Sequence, residues 1–136
     1  MELRSHRAEC RLYFGLEVLY DANMKVVFIS GPYRSDSEWQ IELNIRSAEE
    51  LALSVWASGA AAHCPHKNTA RFGGAQADEV WLNGDLEILR RCDAVICTAD
   101  WKRSTGATAE VMEARRLGIP VFETIEEFRA WLRSQK

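Results

Sequence analysis

Ala94-Val95-Ile96-Cys97 and, after a short loop, Ser104-Thr105-Gly106-Ala107-Thr108-Ala109-Glu110 decide the fold of this chain. The first stretch is a brief apolar run with no polar alternation, the pattern of a strand covered on both faces. In the second, Ala107 opens a helical spacing that Val111 and Ala114 continue until Gly118 stops it. Upstream, Val26-Val27-Phe28-Ile29 stands between Lys25 and Ser30-Gly31-Pro32 and has the same character. Asp36 or Ser37 can cap the helix after it, in which Ile41, Ile45, Ala48, Ala52 and Val55 recur until Gly59. Residues 60–64 form a weaker strand that ends at Pro65, and 66–77, with Asn68, Gly73 and Gly74, read as the longest loop. Asp78 opens a helix whose apolar face includes Trp81, Leu82, Leu86, Ile88 and Leu89. Ile119-Pro120-Val121-Phe122 is a further strand, and Thr124 caps a last helix reaching Leu132. Strict β-α alternation of this kind predicts an α/β fold, a parallel sheet with right-handed crossovers and helices on both faces.

Residues 24–136 account for that alternation, whereas 1–23 stand outside it. Leu12, Phe14, Leu16 and Val18 alternate as a strand would, so the segment is either an added edge strand or an N-terminal extension of a unit beginning at Met24. With 136 residues the chain is expected to be one domain with a core of its own. A formal charge of −3 gives a nucleic-acid polymer no electrostatic reason to bind, though a single nucleotide needs only one or two cations. Cys10, Cys64, Cys92 and Cys97 show no CxxC pair, which points to reduced thiols and a cytoplasmic setting. His63, Cys64 and His66 are close in sequence but lack a second ligand cluster, so no metal is expected. No apolar stretch approaches the ~20 residues of a membrane span, and no signal-peptide core is visible at the amino terminus.

Open parallel sheets bind ligands at the carboxyl ends of their strands, and Glu110, one turn inside the helix after Ala94–Cys97, belongs at that edge. A glutamate there either faces a pocket or covers a helix end, where its negative charge is favourable for stability alone. Asp85 lies four residues after Trp81 and three before Ile88, so its row on the helix is apolar on both sides. Two carboxyl groups are what cleavage of a glycosidic bond needs: one attacks the anomeric carbon, the other helps the leaving group depart. Asp93, which precedes a strand, reads as a turn residue. Gly31-Pro32-Tyr33-Arg34-Ser35 joins the first strand to its helix, and such a turn offers backbone N–H groups to an anion, with Arg34 as a bidentate partner. It is neither a GxGxxG nor a Walker sequence, so no dinucleotide or nucleoside triphosphate is indicated.

Taken in order, Ile29-Ser30-Gly31-Pro32-Tyr33, Asp85 with Cys92-Asp93-Ala94-Val95, and Ser104-x-Gly106-x-x-x-Glu110 resemble the nucleoside 2-deoxyribosyltransferase superfamily over about residues 25 to 123. Cys64-Pro65-His66-Lys67-Asn68-Thr69 and Trp101-x-x-Ser104 are similar to a small bacterial and phage branch of it. The resemblance implies a flavodoxin-like sandwich, no cofactor, and cleavage of the base–sugar bond of a nucleoside or nucleotide. It implies Glu110 as nucleophile, Asp85 as the group serving the base, and Tyr33 beside them, orienting Glu110 or touching the sugar. Ser104 stands where the nucleoside transferases carry an acid and the nucleoside 5′-monophosphate hydrolases a serine, which favours a phosphorylated substrate held by Gly31, Arg34, Ser104 and Gly106. Pro32 stands where those hydrolases often have serine, so this turn has one N–H and one hydroxyl fewer. His66 and Asn68 are expected to line the base pocket, and a homodimer or larger homo-oligomer is expected. The expected activity is N-glycosidic hydrolysis of a (deoxy)nucleoside 5′-monophosphate through a covalent glycosyl-enzyme. Base exchange on nucleosides and a non-catalytic nucleotide sensor are the alternatives.

Overall fold

The computed structural model of the protein describes residue 21 and residues 23–136. The alternating segment at 12–18 lies outside the described residues. Four strands, β1 (Val26–Ser30), β2 (Ala61–His63), β3 (Ala94–Cys97) and β4 (Val121–Phe122), form one sheet in the order β2-β1-β3-β4. Every pairing is parallel, with Ser30 beside Cys97 at the carboxyl end of the central pair. The helices are α1 (Glu38–Ala57), α2 (Pro65–Asn68), α3 (Asp78–Leu89), α4 (Thr105–Arg116) and α5 (Ile125–Ser134). This is the flavodoxin-like arrangement that the sequence predicts.

Strand alternation sorts the core into two layers. Val27, Ile29, Ala94 and Ile96 face α1 and α5, where they meet Ala48, Ala52, Val55, Phe128 and Leu132. Phe28, Val95 and Cys97 face the other way, against Leu89 of α3 and Ala107, Val111 and Ala114 of α4. The predicted face of α4 is therefore the observed one, and Gly118 ends the helix at a positive φ of 72°, a conformation that favours glycine. Ser37, rather than Asp36, caps α1, accepting from the N–H of Gln40 at 3.2 Å. Thr124 caps α5 through the N–H of Glu127.

Two expectations differ from the structure. The stretch after Pro65 does not start as loop: proline at the first helical position lets Pro65–Asn68 close one helical turn, too short to show a period. The apolar face predicted for α3 is only partly used. Leu89 is buried, but Leu82 is 46% exposed, with Val80 beside it equally open. The helix meets the core through its carboxyl-terminal half, where Ile88 and Leu89 pack against the α4 layer.

Candidate active site

The sheet reverses its winding direction between β1 and β3, because the chain runs outward to β2 from one and to β4 from the other. In open α/β sheets ligands commonly bind outside the carboxyl ends of the strands at such a switch point. Glu110 and Ser30 meet at that point. Alternation along β1 turns Ser30 to the same face as Phe28, towards α4, and the Ser30 hydroxyl donates to Oε2 of Glu110 at 2.7 Å. Ser30 itself is fully buried. Loss of water around the Glu110 carboxyl pushes its pKa up to about 8, against the pull of the Ser30 hydrogen bond and with a further push from the negative charge of Asp85. Asp85 is raised to about 6 by its own burial. Two carboxyl groups from neighbouring helices thus share one field on one face of the sheet, and each holds its proton more tightly than a solvated acid.

The rim is built from the loops after β1 and β3. A Cβ placed on Gly31 would lie 2.4 Å from Oγ1 and 2.7 Å from Cγ2 of Thr98, so only glycine lets the two loops approach this closely. Thr98 fixes the approach by donating its N–H to the Ser30 carbonyl and its hydroxyl to Oδ1 of Asp100, each at 2.9 Å. The other Asp100 oxygen accepts two hydrogen bonds from the Arg103 guanidinium, at 2.9 and 2.7 Å. Ser104 caps α4, its hydroxyl oxygen accepting from the N–H of Ala107 at 3.1 Å, which leaves the hydroxyl proton free to donate elsewhere. Gly106 follows in the first turn of the same helix. Trp101, buried between these loops, donates its indole N–H to Glu123 at 2.8 Å and so ties the β3 loop to the end of β4.

Arg34 is exposed and paired with Asp78, the first residue of α3, at 2.7 Å. Tyr33 sets its ring edge-on to His66, with the centroids 5.9 Å apart. The hydroxyl that meets Glu110 belongs to Ser30 and not to Tyr33. His66 is only 5% exposed, and its Nε2 lies 3.1 Å from the Gly31 carbonyl oxygen and 2.9 Å from that of Pro32. It therefore sits on the β1 turn. Asn68 is exposed and lines a 540 Å³ groove with Leu53 and Trp56 of α1 and Ala62, His63 and Cys64, apart from the two carboxyl groups. The structure gathers Gly31, Tyr33, Arg34 and His66 around one turn and Ser104 and Gly106 at the start of α4, whereas Tyr33 and Arg34 line a groove with α1 and residues 67–78 that Asp85 and Glu110 do not line. Among the described residues no group of His, Cys, Asp and Glu is arranged to hold a metal ion, and no helix is long and apolar enough to cross a membrane.

Sequence reasoning missed Ser30, Thr98 and Asp100 as parts of the site. Ser30 carried a readable signal: it is the polar residue in the row begun by Phe28, on a strand otherwise apolar. Thr98 and Asp100 had none, since a short polar loop after a strand looks the same whether or not it touches another loop.

Residues 25–124 match the family described as Domain of unknown function (DUF7768), and the chain belongs to that family. No curated protein matches it. Among solved structures it is similar to a 2-deoxyribosyltransferase from Bacillus psychrosaccharolyticus, with 20% identity and a TM-score of 0.53 over 71% of this chain and 69% of that one. A conserved protein from Enterococcus faecalis V583 gives 23% identity and a TM-score of 0.54 over 72% of this chain and 61% of the other. Likeness at this level of identity is a likeness of fold.

Proposed function

We propose that this member of the DUF7768 family cleaves the N-glycosidic bond of a nucleoside 5′-monophosphate. The observation that carries the proposal is the partly buried Glu110 carboxyl, held by Ser30 and within the field of Asp85, at the carboxyl ends of β1 and β3. Glu110 attacks C1′ from one side of the sugar. The C1′–N bond breaks, its electron pair goes to the base, and the base takes a proton from Asp85. Water then attacks C1′ of the glycosyl-enzyme, gives its proton to the Asp85 carboxylate, and releases the sugar phosphate with Glu110 restored. Ser30 lowers the cost of charge on Glu110 and fixes which oxygen faces the substrate. The turn at Gly31 and the free hydroxyl proton of Ser104 meet the 5′-phosphate.

One observation favours a second reading. Arg34 and Arg103 are both already paired with carboxylates, Asp78 and Asp100, so the rim offers a dianion less free positive charge than its arginines suggest. An unphosphorylated nucleoside, with a second base in place of water, would suit such a rim. Incubation with all common nucleosides and 5′-monophosphates, followed by chromatography, separates the readings. Free base from monophosphates supports hydrolysis of nucleotides, and exchange only in the presence of a second base supports transfer. Binding without any release would make the protein a sensor and remove the catalytic proposal.

A further inference from the structure

We propose that His66 is a positioning residue that sets the polarity of the anion-binding turn. This rests on the reading of Gly31–Arg34 as the phosphate turn. Nε2 of His66 faces two acceptors, the carbonyl oxygens of Gly31 and Pro32, so it carries the ring proton and donates to both. In a trans peptide the C=O and N–H point in opposite directions, and the described chain contains no cis bond. Fixing the Pro32 carbonyl on His66 therefore sends the Tyr33 N–H the other way. The Tyr33 N–H is thus directed away from His66, and it has no hydrogen-bond partner among the described residues. The Gly31–Pro32 peptide has no N–H to present, because its nitrogen belongs to proline.

The consequence is electrostatic. Left free, either carbonyl could rotate its negative end towards a phosphate and oppose it. Held by His66, both acceptors are withdrawn and one donor, the Tyr33 N–H, is left free on the turn. Packing alone does not account for an imidazole here, since its Nδ1 is buried without a partner, a cost an apolar side chain would not carry. The ring is kept neutral by burial, which lowers its pKa, although the two carbonyls and the nearby charge of Asp100 work against that.

Inorganic phosphate, titrated into the full-length, isotope-labelled protein, tests the assignment. In the wild type the Tyr33 amide resonance should move downfield and saturate, and the His66 ring should show the Nε2–H tautomer. His66→Gln places an amide nitrogen near the Nε2 position and should bind phosphate within about threefold of the wild type. His66→Asn places it near Nδ1, out of reach, and should bind about tenfold more weakly, the loss of roughly one charge-assisted hydrogen bond. A Tyr33 amide that does not respond, an Nδ1–H tautomer, a Gln variant as weak as the Asn variant, or an Asn variant that binds normally would each overturn it. Should His66→Asn fail to fold, the wild-type resonances and the Gln variant still decide. Base release from 5′-monophosphates, assayed on the same samples, keeps the two proposals apart. Phosphate binding without release leaves the role of His66 standing and removes the glycosidase, and release without a Tyr33 response does the reverse.

Discussion

At the scale of single residues, the pair Glu110 and Asp85 sets the expectations. Glu110→Gln preserves shape and removes the proposed nucleophile, so the proposed base release should fall by several orders of magnitude while the circular dichroism spectrum stays native. Asp85→Asn should lower kcat far more than it raises KM, because help to the leaving group matters chiefly in the transition state. If only KM changes, Asp85 binds substrate and the proton comes from another group. The two carboxyls also predict a pH profile. With Glu110 near 8 and Asp85 near 6, the pair holds a single proton between those values, and the mechanism needs that state, charge on Glu110 and proton on Asp85. The higher pKa of Glu110 by itself favours the opposite placement, but positive charge developing at C1′ draws the negative charge to it. A plot of kcat/KM against pH should therefore be a bell with limbs near 6 and 8. A flat profile across that range would argue against a one-proton pair. Both carboxyls were legible in the sequence, as acids on the apolar faces of helices that follow strands. Ser30 was not singled out, because its role depends on which face of β1 meets α4, and that follows from packing rather than from the run of residues.

At the scale of elements, the turn between β1 and α1 is tied to α3 by the Arg34–Asp78 pair. Both side chains are more than half exposed, so the pair itself contributes little stability. On the proposed function its importance is competition: Asp78 occupies the cation proposed to meet the phosphate. Arg34→Ala should weaken 5′-monophosphates about ten- to a hundredfold and free nucleosides much less. Asp78→Asn should act in the opposite direction, tightening monophosphates severalfold as Arg34 becomes free. Calorimetric titration of both variants checks this, and equal changes for nucleosides and nucleotides would show that Arg34 does not meet the phosphate. Strands and long helices were legible throughout, since their periods extend over enough residues to be recognised. The single turn of α2 was not, and with it the true place of His66. A residue read as part of an open loop is instead buried against two backbone carbonyls over thirty positions away in sequence.

At the scale of the whole molecule, the buried pair ties the stability of the fold to the site. The sheet order puts β1 and β3 side by side at the centre, and Glu110 is tied to that centre through Ser30 at the end of β1. A carboxyl whose pKa is raised on folding binds its proton more tightly in the native state than in the unfolded one. Stability is then fullest below the ordinary glutamate pKa of 4.5 and falls as pH rises towards about 8, where the native group also ionises. The slope from one such proton is at most about 1.4 kcal/mol per pH unit. Asp85 adds a smaller contribution of the same sign between its ordinary value of 3.8 and about 6. Glu110→Gln carries no titrating proton, so its melting temperature should exceed that of the wild type at pH 8 and converge with it near pH 4. Replacing Ser30 by alanine should sharpen the decline, because the native carboxylate would lose the hydrogen bond from Ser30 and ionise later still. Melting curves of the three proteins from pH 4 to pH 9 provide the check. Parallel curves for the wild type and Glu110→Gln would mean that the carboxyl is solvated in the native protein, and Glu110 as the proposed desolvated nucleophile would have to be given up with it.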